Sequence, residues 1–279
     1  MRILITGAKG QLGYHLKQVF ADDELFLVDI DNLDIVNASA VDRVFREFNP
    51  ELVIHGAAYT AVDRAEDEVA KAYGVNRDGT ANLAEGAKRL NIPILMISTD
   101  YVFDGKARQP YSETTNPKPA SVYGASKLAG EEVLRKLTPK HWIVRTAWLY
   151  GGSAEHRNFV RTILEVARKE KMLNVVCDQI GSPTYAGDLA EAIRQIITKK
   201  LPFGSWHIVN TGQASWYDFA KEILKIAKLS NRLKPTKSHE LKRKAPRPAF
   251  SVLGTTKAAK HGIVLRPWQE ALADFLSHG

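Results

Sequence analysis

The opening stretch MRILITGAKGQLGYHL constrains this chain more than any other. Residues 2 to 6 read as an apolar strand, and residues 11 to 21 read as a helix with one apolar side. Gly7, Gly10 and Gly13 stand at the junction, spaced three apart. Glycines there let backbone N–H groups approach a pyrophosphate, and the helix dipole favours the anion. A strand, a glycine turn and a helix in that order predict the phosphate-binding corner of a dinucleotide fold.

The next segments keep the same rhythm. ELFLVD reads as a strand before a helix near 39–48, and ELVIHGAA as a strand before a long helical stretch from about 65 to 90. IPILMIS, a helix over 121–137 and the strand WIVRTAWLY follow. The strands are continuously apolar rather than alternating, which predicts a parallel sheet covered on both faces. The expected fold is therefore α/β, a doubly wound Rossmann-type sheet, with residues 1–149 as the dinucleotide-binding domain. Beyond Gly151 helices near 156–170, 187–199 and 215–228 are separated by Pro- and Gly-containing loops. Residues 150–279 are expected to form mainly a smaller substrate-binding domain over the sheet's carboxyl edge, with segments near 185–212 returning to the first domain.

Composition narrows the partners. The chain has 279 residues, 44% hydrophobic and 25% charged, enough for a sizeable core. No apolar run approaches the ~20 residues that span a bilayer. The chain reads as a strand from its start with no signal-peptide segment, and the single Cys177 excludes an intramolecular disulfide. The expected location is the cytoplasm, with no membrane partner. The net charge of +8 is mostly scattered among acids, and its densest cluster, LKRKAPRP at 241–248, lacks interleaved aromatics. That pattern points away from nucleic acid and suits small anionic ligands.

Asp29 ends the second strand about 20 residues past the glycines, where an acid usually meets the adenine ribose and favours NAD. Lys9, inside the glycine loop, instead suits a 2′-phosphate and NADP. The two signals conflict, and the expectation is NADPH with NADH accepted. SVYGASKLAGEE places Tyr123 and Lys127 four apart on one helical face. An ammonium beside a phenol lowers the phenol's pKa from about 10, which makes Tyr123 a candidate acid/base. STDYVFDG ends the preceding strand in hydroxyls and an acid. Thr99 is the candidate for bonding a substrate oxygen, with Asp100 and Tyr101 shaping the same pocket.

These segments together resemble the dTDP-4-dehydrorhamnose reductase family of the extended short-chain dehydrogenase/reductase superfamily. The resemblance runs over nearly the whole chain, through GAKGQLG, HGAAYTAVDRAE, Val75–Asn76, STDYVFDG, VYGASKLAGE, RTAWLYG, Asn158–Phe159, DQIGSPT and Arg247–Pro248. It implies reduction of a nucleotide-linked 4-keto sugar, with Thr99, Tyr123 and Lys127 as the catalytic set. It also implies that Gly7, Gly10, Gln11, Leu12, Gly13, Asp29, Asp34, Ile35, Ala57, Ala58, Tyr59, Asn76 and Ser98 line the cofactor, together with Tyr123 and Lys127. Substrate contacts would come from Thr99, Asp100, Tyr101, Trp148, Asn158, Phe159 and Arg247. Some members dimerise through a metal bridged by acids, one of them in the first helix. That position is His15 here, although Asp188 and Glu191 remain acidic. The expectation is no metal ligand set, Mg2+ left open, and a monomer or weak homodimer.

Rival readings share the fold. Dehydratases carry a glutamate where Tyr101 stands, and epimerases retain a tightly bound NAD. A non-catalytic alternative is a regulatory subunit like that of methionine adenosyltransferase. The intact Thr99, Tyr123 and Lys127 favour turnover.

Overall fold

The structure is a computed structural model and describes residues 1–278. Its first half alternates β1 (Arg2–Thr6), α1 (Gln11–Val19), β2 (Glu24–Val28), α2 (Ala38–Phe48) and β3 (Leu52–His55). Then come α3 (Val62–Ala65), α4 (Val69–Tyr73), α5 (Thr80–Arg89), β4 (Ile94–Thr99), α6 (Val122–Leu137), β5 (His141–Thr146) and β6 (Leu149–Tyr150). The second half holds α7 (Phe159–Lys169), β7 (Met172–Val176), β8 (Ile180–Gly181), β9 (Thr184–Tyr185), α8 (Ala186–Thr198) and β10 (Gly204–His207). It ends with β11 (Ala214–Ser215), α9 (Trp216–Ile226), β12 (Arg232–Thr236), α10 (Thr256–Lys260) and α11 (Trp268–His278).

Six parallel strands form the central sheet in the order β10-β5-β4-β3-β1-β2. The chain leaves β1 for β2 on one side and later returns to β3 on the other. This reversal opens a crevice at the strands' carboxyl ends. Side chains alternate across the sheet, and both sets are apolar. Ile3, Ile5, Ile54 and Val144 pack under α1 and α8, while Leu4, Val53, Met96 and Ile143 pack under α2, α5 and α6. The strands are continuous apolar runs for that reason. β10 pairs with β5 and α8 lies against α1, so part of the second half completes the sheet.

A separate core lies beyond the sheet's carboxyl edge. Val160 and Ile163 of α7, Leu173 and Val175 of β7, Phe219 and Ile223 of α9, and Trp268 and Leu272 of α11 fill it. β12 pairs with β7, and the short pairs β6–β9 and β8–β11 join this layer to the sheet.

Two expected elements are broken. The long helix over 65–90 is α3, α4, a π-helical turn over Gly74–Gly79 and α5. The widened turn sends the Asn76 side chain inward, where its oxygen accepts from Tyr59 N at 2.9 Å and its amide donates to Ser126 Oγ at 2.9 Å. Such turns are common beside functional sites. The strand WIVRTAWLY ends at Thr146, because Trp148 takes a left-handed conformation, φ 48°, before β6 begins. A bulky residue there is uncommon and marks a sharp change of direction.

Helix α6 meets the π-turn through Gly130. A Cβ there would lie 2.2 Å from the Asn76 carbonyl oxygen. In an open helix Gly→Ala stabilises by about 1 kcal/mol, but here the overlap reverses the sign. Gly130→Ala is expected to destabilise by about 1–3 kcal/mol, read as a lower midpoint in denaturant unfolding at unchanged slope.

Candidate active site

The corner between β1 and α1 is built on backbone proximity. Gly7 has φ 71°, and its carbonyl accepts from Gly10 N at 3.0 Å. An added Cβ at Gly7 would sit 2.7 Å from Ala57 N, and one at Gly13 would sit 2.5 Å from Gly7 O. Gly10 caps α1 without a side chain, so the first-turn N–H groups face the crevice. Gln11 Oε1 is buried there with no hydrogen-bond partner among the described residues. A dinucleotide's pyrophosphate fits this cradle in shape and charge.

Two adjoining cavities share Thr6, Gly7, Gly10, Gly56, Ala58 and Thr60. The first, about 560 Å³, is lined also by Lys9, Asp29, Asp34, Ile35, Ala57 and Tyr59. The second, about 500 Å³, is lined by Gln11, Leu12, Gly13, Ser98, Thr99, Asp100, Tyr101, Tyr123, Lys127, Trp148 and Trp216. At the mouth of the first, Asp29 accepts from Lys9 N and Ile30 N, both at 2.9 Å. The Lys9 ammonium is exposed and pairs with Asp31 at 2.6 Å.

In the second cavity Ser121 caps α6 by accepting from Gly124 N, which sets Tyr123 and Lys127 on the inner face. Lys127 Nζ donates to Ile97 O at 2.8 Å. Thr99 Oγ1 donates to Asp100 Oδ1 at 3.0 Å and accepts from Tyr101 N at 3.2 Å. The Tyr101 ring meets Tyr123 edge-on, with centroids 5.5 Å apart. Trp148 stacks on Trp216 at 3.5 Å and lies so close over Gly181 that a Cβ there would be 2.4 Å from the indole.

The matching family model is described as the RmlD substrate binding domain and covers residues 1–279. A dTDP-4-dehydrorhamnose reductase of Aggregatibacter actinomycetemcomitans is 41% identical, with 99% of each chain covered. A probable dTDP-4,6-dihydroxy-2-methyloxan-3-one 4-ketoreductase of Streptomyces antibioticus is 40% identical over 98% of this chain and 94% of that protein. Among solved structures, dTDP-4-dehydrorhamnose reductase of Bacillus anthracis in complex with NADP superposes with TM-score 0.96. It is 40% identical and covers 100% of this chain and 99% of that one. The chain belongs to the dTDP-4-dehydrorhamnose reductase family.

Several residues of the expected site have surroundings that spacing along the chain does not reveal. The Tyr123 phenol is not acidified: burial pushes it up to about 12, with the Thr99 hydroxyl opposing and Asp100 adding to the rise. Lys127 is itself pushed down to about 8 by burial, with Glu131 opposing, and its ammonium is held on the Ile97 carbonyl. Asn76 is buried and latches the Tyr59 backbone and Ser126 rather than facing the cleft. Asn158 caps α7 by accepting from Arg161 N, and Arg247 pairs with Asp63 at 2.7 Å. Neither residue lines the two adjoining cavities. Phe159 tilts against Trp216 at 4.4 Å and lines a neighbouring cavity of about 600 Å³ with Trp216 and Arg243.

His15 accepts from Gly152 N at 3.0 Å, and Asp188 is held by Arg266 and Asn210. Among the described residues no group of three His, Cys, Asp or Glu side chains is placed to hold a metal. Trp216 and Glu131 were missed from sequence. Trp216 lies far from the catalytic motifs in the chain, whereas Glu131 stands visibly one turn past Lys127.

Asp100 is fully buried, with Oδ2 unpartnered among the described residues, and burial pushes its carboxyl up to about 6. The native state then keeps a proton that the unfolded chain releases, from the ordinary carboxyl pKa of about 4 up to about 6. Stability is lost as pH rises through that window. Asp100→Asn is expected to stabilise by roughly 1–3 kcal/mol at pH 7.5 and by nothing below pH ~4, as calorimetric unfolding at both pH values would show.

Proposed function

We propose that the protein reduces the C4 keto group of dTDP-4-dehydro-L-rhamnose to give dTDP-L-rhamnose, with NADPH preferred and NADH accepted. The observation that carries this is the convergence of Thr99, Tyr123 and Lys127 on a cavity that opens directly onto the glycine cradle. The NADP complex of the Bacillus anthracis relative supports the cofactor. We read residues 1–149, completed by α8 and β10, as the cofactor-binding part and the remainder as holding the nucleotide sugar. We read its setting as the cytoplasm.

Bound NADPH supplies the hydride. The chain's own residues handle the charge that develops on the substrate oxygen. The Thr99 hydroxyl holds that oxygen beside the phenol, and Tyr123 gives it a proton. A phenol whose pKa is raised by burial stays loaded with its proton at neutral pH, which suits a donor. Lys127, one turn along α6, supplies positive charge that favours the phenolate left behind. The Trp148–Trp216 stack offers an apolar wall to the sugar and keeps water from the site.

The Streptomyces antibioticus relative, named for a different 4-ketosugar at 40% identity, makes another dTDP-linked 4-keto sugar the second reading. A coupled assay comparing several such sugars by kcat/KM decides between them.

Tyr123→Phe is expected to cut kcat by about 10²–10⁴-fold while NADPH affinity, measured by direct titration, stays unchanged. Near wild-type kcat under conditions where hydride transfer limits the rate would remove Tyr123 as the proton donor. The exposed Lys9–Asp31 pair is weak enough to re-aim the ammonium at a 2′-phosphate. Lys9→Ala should therefore weaken NADPH more than NADH, and equal losses would show that Lys9 does not meet that phosphate.

A further inference from the structure

The proposed chemistry leaves one wholly buried acid without a task. Tyr123, Lys127 and Glu131 recur at successive fourth positions along α6, on one face. The Glu131 side chain is fully shielded from solvent. Its Oε1 accepts from Ser98 Oγ at 2.6 Å and from Arg145 Nε at 2.9 Å. Its Oε2 accepts from Arg145 Nη2 at 2.6 Å and from Arg135 Nη2 at 2.7 Å. Arg145 and Arg135 donate three of the about four hydrogen bonds a carboxylate accepts, and Ser98 donates the fourth, which ties the acid to the end of β4.

Ser98 adjoins Thr99 at the end of β4, and the two side chains leave opposite faces of the strand. The preceding carbonyl, Ile97 O, holds Lys127 Nζ at 2.8 Å. The last three residues of β4 are thus tied to α6 at two points, one through Lys127 and one through Glu131.

We propose that Glu131 is a positioning residue for the reduction. It anchors Ser98, and with it the strand end that presents Thr99, and its charge keeps Lys127 cationic inside the protein. This rests on the reductase reading above. Burial holds Lys127 down at about 8, and Glu131 is the neighbour that opposes the fall. The other groups facing this region titrate elsewhere. Burial puts Asp100 at about 6, Tyr123 at about 12, and His55 of β3 and His207 of β10 at about 3; the other charged neighbours are the Arg135 and Arg145 guanidiniums that bind Glu131. A pH limb near 8 therefore reports Lys127.

The test measures NADPH affinity and kcat against pH for wild type, Glu131→Gln, Glu131→Asp and Ser98→Ala. Affinity is read by tryptophan fluorescence, since Trp148 and Trp216 border the cavity. Glu131→Gln keeps an acceptor for Ser98 but removes the charge. Its alkaline limb should move about one pH unit lower in both measurements, the size of an opposite charge nearby. Glu131→Asp keeps the charge and shortens the reach, so the limb should stay while kcat falls. Ser98→Ala should lower kcat about tenfold, the size of one positioning hydrogen bond, with the limb unmoved.

If Glu131→Gln does not fold, because Arg145 then lies buried without its counter-charge, Glu131→Gln/Arg145→Gln carries the same expectation for the limb. A limb that stays at its wild-type pH in the variants lacking the Glu131 charge overturns the proposal. Unchanged kcat in both Ser98→Ala and Glu131→Asp overturns its positioning part. A wild-type protein that binds NADPH but reduces no 4-keto sugar would instead defeat the reductase reading, and the affinity limb would still judge Glu131.

Discussion

The backbone contact between Gly7 and the Gly56–Ala57 segment is the constraint on which the rest of the molecule depends. It brings the ends of β1 and β3 together at the point where strand order reverses. A left-handed residue with no side chain is required there, because the volume a Cβ would occupy is already backbone. With that corner closed, α1 starts directly over the crevice, and its free N–H groups meet whatever anion enters. The polar chain beneath it holds the same geometry from inside. His55 joins Thr6 at 2.8 Å and Thr80 at 3.0 Å, and Thr80 bonds Asn76 O at 2.7 Å. The two loops that face the cofactor cavity are thereby referenced to one buried imidazole.

The second constraint is electrostatic. Lys127, Arg145, Glu131 and Asp100 all lie within the protein, where a single uncompensated charge is costly. Glu131 compensates Arg145 by direct contact and acts on Lys127 only through the field of its charge, whereas Asp100 is compensated in part by holding its proton longer. Burial acts in opposite senses on the two groups that α6 presents to the second cavity. It keeps the Tyr123 phenol protonated and makes the Lys127 ammonium easier to discharge. A dry site gains electrostatic leverage on a developing oxyanion, and the same dryness requires that the lysine's charge be supported by neighbours.

The parallel sheet, the glycine corner and the pairing of Tyr123 with Lys127 could be read in the sequence, because each depends on short-range spacing. Period-2 burial on both faces writes a strand as a continuous apolar run, glycine spacing marks the turn, and four residues make one helical turn. The π-turn over Gly74–Gly79 was not readable as such. It arises because Asn76 finds partners in Tyr59 and Ser126, distant in the chain. The break at Trp148 has the same character: the indole leaves the strand to stack on Trp216, 68 positions later.

The sequence by itself determined the fold class, the glycine corner between β1 and α1 and the placing of Tyr123 and Lys127 on one helical face, since these follow from local periodicity and backbone freedom. Tertiary structure alone decided the state of those residues. Tyr123 is raised rather than lowered, Lys127 is anchored to Ile97, Asn158 serves as a helix cap, Arg247 is engaged by Asp63, and Glu131 stands behind the reacting face. The physical reason is that desolvation and long-range pairing depend on what the folded chain packs around a side chain, and spacing along the chain carries no record of that.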